Sequence, residues 1–194
     1  MDKVLVSACL LGTPCRYDGK SKADARVLAL AERYELIPVC PEQLGGLPTP
    51  RDPSERQGAR VVMASGRDVT ENYRRGAEAA LALCVQNGCK AAILKEKSPS
   101  CGCGLVYDGT FSRRLVSGDG VTAELLKAHG IKVYGESRLP AMQEAETANC
   151  GLSSNVFVVF CFSADYNISC SGIQYFIDCK LFASDRRRRR STIP

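Results

Sequence analysis

The first forty residues contain the pattern that decides the fold: KVLVSAC at residues 3–9, ADARVLALAER at residues 23–33 and ELIPVC at residues 35–40. The outer segments begin with apolar runs of strand length, and the middle segment carries Ala, Val and Leu at helical spacing. A strand, a helix and a second strand in this order form a βαβ unit, in which the two strands run parallel. The chain therefore opens as an α/β protein.

The same alternation continues downstream. Strand-like runs occupy residues 60–64, 91–95 and 131–134, and helical patterns occupy residues 70–87 and 121–129. Thr70 is the predicted N-cap of the first of these two helices. The alternation predicts a three-layer, mostly parallel, Rossmann-like sheet with helices on both faces.

Residues 41–55 interrupt this regularity. They include four prolines and two adjacent glycines, so we expect an irregular loop. Loops of this length inside a compact domain are usually functional lids or binding walls.

Composition indicates a globular protein with one main domain. The chain has 194 residues, of which 45% are hydrophobic and 24% are charged. The amino terminus lacks the features of a signal peptide, and no apolar run reaches the roughly 18 residues of a membrane span. We therefore predict a cytoplasmic protein with no membrane association.

Charge and aromatic content change near residue 149. The last 45 residues carry six basic and three acidic side chains, and seven of the thirteen aromatic residues. The rest of the chain is nearly neutral, with 20 basic and 18 acidic side chains, which argues against a dedicated nucleic-acid domain. We predict a domain over residues 1–148 and an atypical extension over residues 149–194 that need not be fully ordered. The arginine run at residues 186–190 is more typical of a solvated terminus than of an RNA site.

Eleven cysteines in a chain of the reducing cytoplasm indicate thiolate ligands or catalysis rather than disulfides. Cys9, Cys40 and Cys101 each follow a strand-like run and lead into a Gly/Pro-rich loop. Because the carboxyl ends of parallel strands line one crevice, we expect these three thiols to meet. Three thiolates at one edge of the sheet suggest a metal ion or an iron–sulfur cluster with one coordination position open. Cys84 and Cys89, near the end of a helix, are interpreted as structural thiols.

Polar residues near the three thiols are candidates for acid–base chemistry. Glu42 follows Cys40 by two residues and is the strongest candidate for a base that activates water. Alternatively, it caps a loop or pairs with Arg16 or Arg51. Ser98 and Ser100 precede Cys101 in a predicted tight turn, where their hydroxyls could face the site.

The sequence leaves the roles of two further cysteines open and gives one histidine a structural role. Cys15 and Cys103 could each add a ligand, and spacing alone does not decide this. His129 is the only histidine and ends a predicted helix, so we interpret it as structural. A single histidine argues against a Ser-His-Asp triad, and the glycine-rich segments match no nucleotide-binding motif.

Taken together, four motifs resemble a known family. They are VLVSACLLG at residues 4–12, CRYDG at 15–19, VCPE at 39–42 and SPSCG at 98–102. In this order they resemble the domain-of-unknown-function 523 family, which includes the thiouracil desulfurases. The resemblance covers about residues 3–137.

The resemblance implies a [4Fe-4S] cluster held by Cys9, Cys40 and Cys101, with an open iron that binds the sulfur of the substrate. Glu42 and Ser98 would then assist the attack of water. Motif positions also assign Ser100, Asp18 and Lys95 to substrate binding, although Asp18 and Lys95 could instead contact the cluster sulfurs or brace loops. The implied reaction is the non-redox conversion of 2- or 4-thiouracil to uracil with release of hydrosulfide.

Two other classes of function stay open at this point. One is a cluster-binding electron carrier or sensor, which would favour a fourth ligand from Cys15 or Cys103. The other is a zinc-stabilised binding module without turnover. The expected partner is a small thiolated nucleobase, and RNA is the less favoured partner. The protein is expected to be a monomer or a homodimer.

Overall fold

A four-stranded parallel sheet lies at the centre of the structure, a computed structural model that describes residues 1–139. The strands, in chain order, are β1 (Asp2–Ser7), β2 (Tyr34–Val39), β3 (Ser54–Gln57), β4 (Arg60–Met63), β5 (Ala91–Leu94), β6 (Leu105–Tyr107), β7 (Leu115–Ser117) and β8 (Lys132–Gly135). The helices are α1 (Ala25–Ala29), α2 (Pro41–Leu44), α3 (Thr70–Gln86) and α4 (Val121–Ala128). The central sheet has the order β2-β1-β5-β8, and all its strands are parallel. The predicted α/β class and parallel sheet are confirmed.

Alternating side chains of β1 divide the core into two layers. Val4 and Val6 pack with Val27 of α1, whereas Leu5 packs with Ala80 of α3 and with α4 on the opposite face. Because both faces of the sheet are covered, β1 is apolar at consecutive positions instead of alternating. The predicted three-layer arrangement is therefore confirmed.

Two helices differ in detail from the prediction. The helix expected over residues 23–33 is shorter, because α1 ends at Ala29 and a 3₁₀ turn, Leu30–Glu32, follows it. Thr70 is the first residue of α3 and not its N-cap, which is Val69. The Thr70 hydroxyl accepts a hydrogen bond from the Val61 amide at 2.9 Å, so it ties α3 to β4.

The segment expected to be an irregular loop, residues 41–55, contains regular structure at both ends. It begins with α2, whose first residue is Pro41, a residue with a backbone angle suited to the first helical position. It ends in β3, which pairs antiparallel with β4 outside the central sheet. A second small antiparallel pair, β6 and β7, was not predicted.

No helix within residues 1–139 is long and apolar enough to cross a membrane. The predicted boundary near residue 149 and the extension over 149–194, including its arginine run, lie outside the described residues.

Helix α2 packs closely against α3 through two glycines. A Cβ added at Gly76 would overlap the Pro41 carbonyl oxygen, and one added at Gly45 would overlap the Asn72 carbonyl oxygen. The Asn72 side chain donates to the Gly45 carbonyl at 2.8 Å and fastens the same contact. This packing fixes the position of the helix that follows Cys40.

Gly76→Ala is expected to destabilise the protein, although the same change in an unhindered helix is stabilising by about 1 kcal/mol. The added methyl group must push α2 away, which we expect to lower the free energy of unfolding by about 1–3 kcal/mol. Urea denaturation of the variant measures this. Ala82→Leu, at an exposed position of α3, is the control and should change stability by less than about 0.5 kcal/mol. A Gly76→Ala protein as stable as the control would contradict the close packing.

Candidate functional site

A cavity of about 530 Å³ opens at the carboxyl ends of the central strands. Ser7 at the end of β1 is paired in register with Val39 at the end of β2, so Cys9 and Cys40 lie just beyond neighbouring strand ends. Cys101 lines the same cavity from the loop after β5. The structure thus brings together the three thiols that the strand-end pattern selected.

Cys15 is a fourth thiol in this cavity. The 3₁₀ helix Ala8–Leu11 ends at Gly12, which has a φ of 100°, and the Thr13 amide then donates to the Ala8 carbonyl at 3.1 Å. This turn reverses the direction of the chain, so that Cys15 contacts both Cys9 and Cys40. A hydrogen bond with Cys40 lowers the pKa of the Cys15 thiol, but contact with Cys9 and burial raise it to about 11 overall.

Cys40 and Cys101 also have thiol pKa values above the ordinary value. The hydrogen bond with Cys15, together with burial, raises the pKa of the Cys40 thiol well above its ordinary value. Burial raises the pKa of the Cys101 thiol to about 12, although a hydrogen bond with Ser7 opposes the shift. These thiols must therefore lose protons when they bind a metal.

Ser98 organises the turn that contains Cys101. Its hydroxyl oxygen accepts hydrogen bonds from the Ser100 and Cys101 amides, both at 3.1 Å. The same hydroxyl donates to Glu42 Oε1 at 3.4 Å. Ser98 thus links the loop of Cys101 to the carboxylate that follows Cys40.

Glu42 forms a buried ion pair with Arg51. Arg51 Nη2 and Nε lie 2.6 and 2.8 Å from Glu42 Oε2, and the two side chains are 3% and 15% exposed. Arg51 also donates to the Cys15 carbonyl at 3.1 Å. Of the two pairings considered from the sequence, the one with Arg51 forms, and Arg16 instead pairs with Asp18. One oxygen of Glu42 is therefore fixed by Arg51, and the other faces Ser98.

Arg51→Met should destabilise the protein, because it leaves the Glu42 carboxylate shielded from water without its counter-charge. We expect the free energy of unfolding to fall by about 2–3 kcal/mol, slightly less than for a fully buried pair. Chemical denaturation measures this. Arg16→Met removes a pair that is about a quarter exposed and should cost less than about 1 kcal/mol. Equal losses of unfolding free energy in the two variants would contradict the larger contribution of the buried pair to stability.

Of three other predicted site residues, one lines the cavity and two do not. Lys95 lines it, and its ammonium group pairs with Glu136. Asp18 is engaged with Arg16 and does not line it. The Ser100 hydroxyl is buried against the Thr122 hydroxyl at 2.9 Å, behind the turn. The positions of Asp18 and Ser100 give no support to their predicted contact with substrate.

The other cysteines and the histidine lie elsewhere. Cys103 donates to the Val133 carbonyl at 3.5 Å, so only Cys15 of the two candidate additional ligands lines the cavity. Cys84 is buried and donates to the Cys89 carbonyl at 3.5 Å. The His129 ring contacts the Leu125 carbonyl at the end of α4. These positions agree with structural roles.

The cavity also includes side chains that sequence reasoning missed. Tyr73 of α3 is 1% exposed and lies beside Glu42; burial, reinforced by the Glu42 charge, raises the pKa of its hydroxyl. Glu55, Phe111 and Arg113 line the cavity from the two antiparallel strand pairs. Phe111 and Arg113 have φ values of 59° and 64°, an uncommon conformation for residues other than glycine. Periodicity does not mark Glu55, Phe111 or Arg113, because Glu55 lies in a strand of four residues and the other two lie in the turn between two strands of three residues each.

The donor set fits an iron–sulfur cluster. Cys9, Cys40 and Cys101 are free thiols from three separate segments around one cavity, and thiolates are the soft ligands that such clusters require. In residues 1–139, no three His, Cys, Asp or Glu side chains lie close enough together to hold a single metal ion. A cluster is wider than one ion and takes its thiolates at separate irons. The three thiols therefore match the type and number of ligands of a cluster with one open iron.

The chain is similar to known proteins in both sequence and structure. Residues 4–138 match the family model of 2-thiouracil desulfurase. The uncharacterized protein YbbK of Bacillus subtilis (strain 168) is 45% identical over 146 residues, which are 70% of this chain and 97% of that protein. The solved structure of the [4Fe-4S]-dependent thiouracil desulfidase TudS superposes with a TM-score of 0.72 at 49% identity, and the match covers 76% of this chain and 99% of that one.

Proposed function

This chain belongs to the 2-thiouracil desulfurase family, and on that premise we propose that Cys9, Cys40 and Cys101 are its cluster ligands. The enzyme is a [4Fe-4S]-dependent desulfurase of a thiolated pyrimidine. The observation that carries the ligand assignment is the convergence of these three free thiols on one cavity. Cys15 lies beside two of them and is the only other described cysteine in the cavity.

The reaction exchanges the sulfur of a thiocarbonyl for the oxygen of water, without net electron transfer. When bound, the cluster supplies a thiophilic Lewis-acidic iron that polarises the carbon–sulfur bond. Water adds to the ring carbon, the carbon–sulfur bond breaks, and uracil and hydrosulfide are the products. The protein must therefore place a water molecule and accept its proton.

Glu42 is proposed as the base that accepts this proton. Its Oε2 is held by Arg51, so the carboxylate cannot rotate freely, and its Oε1 faces Ser98 and the cavity. A positioned carboxylate that is shielded from water contributes typically 10²–10⁴-fold to such a step. Arg51 acts as a positioning residue, since it fixes the carboxylate without reaching the Ser98 side.

Ser98 is proposed to orient the attacking water or the substrate. Its hydroxyl oxygen already accepts two amide hydrogen bonds, so its proton is directed to Glu42. This arrangement connects the base, the hydroxyl and the turn of Cys101 in one network. Lys95 is a further proposed contact to the substrate, because it lines the same cavity.

Free thiouracil is the proposed substrate, in preference to thiolated RNA. A cavity of about 530 Å³ lies in the range of small-molecule sites, and a single pyrimidine ring fits within it. The near-neutral charge of residues 1–149 also favours a small substrate over a polyanion. A cytoplasmic location stays a prediction of the sequence.

Isotope labelling tests the hydrolytic course of the reaction. The anaerobic, cluster-loaded enzyme is incubated with 2-thiouracil in water labelled with heavy oxygen, and no reductant is added. We expect uracil that carries one heavy oxygen atom and one hydrosulfide for each thiouracil consumed. Uracil formation that requires an electron donor, or uracil without the label, would overturn the proposed chemistry.

A further inference from the structure

Glu55 is a buried carboxylate whose two oxygens differ in their surroundings. It lies in β3, is 8% exposed and lines the cavity. Its Oε2 accepts hydrogen bonds from the Gly109 amide at 3.0 Å and the Phe111 amide at 2.9 Å. Within residues 1–139, Oε1 accepts no hydrogen bond and no basic side chain forms an ion pair with Glu55.

Glu55 Oε1 is accessible, and Glu55 lines the cavity. Among the described residues, Ser54 Oγ is the one fully buried side-chain oxygen or nitrogen without a hydrogen bond, so Glu55 Oε1 is not sealed in the protein. The open space that Glu55 lines is the cavity itself. A carboxylate oxygen largely removed from water, with no partner, is costly unless a bound group donates to it.

Ser54, the neighbour of Glu55 in β3, has a fully buried hydroxyl. Its hydroxyl is buried and makes no hydrogen bond of normal geometry, although Tyr73 is near enough to interact with it. Ser54 and Glu55 both line the cavity. Because the Ser54 hydroxyl is sealed from solvent, Glu55 Oε1 is the accessible polar atom at this place that a bound ligand can satisfy.

We propose that Glu55 binds the substrate by accepting a hydrogen bond at Oε1 from a ring N–H of the pyrimidine. This inference rests on the proposed function and names the part of the substrate that the cavity recognises. Thiouracil and uracil both carry ring N–H donors next to the carbon that bears sulfur or oxygen. A carboxylate oxygen accepts such a donor strongly, because the hydrogen bond is charge-assisted.

The same residue positions an aromatic side chain beside the ring. Through Oε2, Glu55 holds the amides of Gly109 and Phe111, and Phe111 lines the cavity. One carboxylate thus accepts a hydrogen bond through Oε1 and positions an aromatic side chain through Oε2. Together these groups would recognise a flat ring with an N–H donor at its edge. Substrates without the free N–H are therefore expected to bind poorly.

Methylated substrates test the proposal with the unmodified enzyme. The 1-methyl and 3-methyl derivatives of 2-thiouracil each remove one ring N–H. We expect one of them to lose roughly 10–100-fold in kcat/KM relative to 2-thiouracil, since a buried acceptor is left unpaired. Equal kcat/KM values for all three substrates would overturn the proposal.

Glu55→Gln separates recognition from a purely structural role. The Gln carbonyl oxygen still accepts from Gly109 and Phe111, but its amide group now presents a donor to the cavity. We expect KM for 2-thiouracil and the Kd of uracil, measured by calorimetry, to rise roughly 10-fold or more, with a much smaller change in kcat. The loss caused by the critical methyl group should also become smaller in the variant, whereas a steric effect of the methyl group would persist.

Two controls make the outcome specific. Glu78→Gln, at an exposed position of α3, should leave KM, the uracil Kd and the methyl effect unchanged. Visible absorption of the cluster and thermal stability should match between Glu55→Gln and the unmodified protein. If Glu55→Gln keeps the original KM and uracil affinity, Glu55 does not bind the ring. If the unmodified protein releases no hydrosulfide from thiouracil, the proposed function fails instead, which is a distinguishable result.

Discussion

The Cys101→Ser protein is expected to release no measurable hydrosulfide from thiouracil. Serine has nearly the same size as cysteine, but its hard hydroxyl is a poor ligand for iron in a cluster that selects soft thiolates. Cys101 is 6% exposed and enters the cavity from a turn fixed by Ser98, so the fold holds its thiol at the site. Iron and sulfide content, visible absorption and hydrosulfide release measure the effect after anaerobic reconstitution.

Cys103→Ser is the matched control for this result. Cys103 lies two residues away in sequence, but its thiol contacts the Val133 carbonyl and not the cavity. We expect this variant to bind the full amount of iron and to keep its activity within about two-fold, as surface or structural substitutions usually do. Full activity in Cys101→Ser, or equal losses in the two variants, would contradict the ligand assignment.

Glu42→Gln is expected to lower kcat by about 10²–10⁴-fold while the cluster is retained. The amide of glutamine cannot accept the proton of the attacking water, but its oxygen can still accept the hydrogen bonds of Arg51. The buried arginine therefore keeps a partner, and the fold around Cys40 should survive. Steady-state kinetics with 2- and 4-thiouracil, together with the iron content of the same sample, separate loss of the base from loss of the cluster.

Two further variants define the role of this carboxylate. Glu32→Gln, at an exposed position, should leave kcat unchanged. Ser98→Ala should lower kcat by a smaller factor than Glu42→Gln, because it removes the hydroxyl with its hydrogen bonds to Glu42 and to the two turn amides but leaves the base in place. A Glu42→Gln enzyme with undiminished kcat and an intact cluster would exclude Glu42 as the base.

The convergence of the three cysteines was predictable because it follows from the parallel sheet. Once residues 3–9 and 35–40 are strands of one βαβ unit, Cys9 and Cys40 must emerge at the same edge. Cys101 joins them because β5 pairs with β1 in the same direction. This inference needs only strand direction, which the periodicity of the sequence provides.

The partners of Glu42 and Glu55 depend on contacts that periodicity does not determine. Arg51 reaches Glu42 across a loop that contains a cis peptide bond between Thr49 and Pro50. Glu55 acquires its partners from the turn between β6 and β7, a strand pair too short to give a clear alternation. Such long-range contacts between loops emerge only when the elements are packed.

Ser100 shows how local chain direction changes the interpretation of a motif. It lies between two residues of the cavity, Pro99 and Cys101, yet its hydroxyl is directed into the core against Thr122. The Ser100 carbonyl oxygen would overlap a Cβ at Gly120, so the turn is pressed against the start of α4. Neighbouring residues of a tight turn point in different directions, and a motif alone does not reveal which one faces the site.

One measurement tests the central claim most directly. The protein is reconstituted anaerobically with iron and sulfide, and thiouracil loss, uracil formation and hydrosulfide release are followed together, beside an identical sample that received no iron or sulfide. We predict that the reconstituted protein forms one uracil and one hydrosulfide for each thiouracil consumed, over many turnovers, and that the untreated cluster-free sample forms none. Turnover of equal rate in the cluster-free sample, or a stable cluster with no turnover of either thiouracil isomer, would contradict this account.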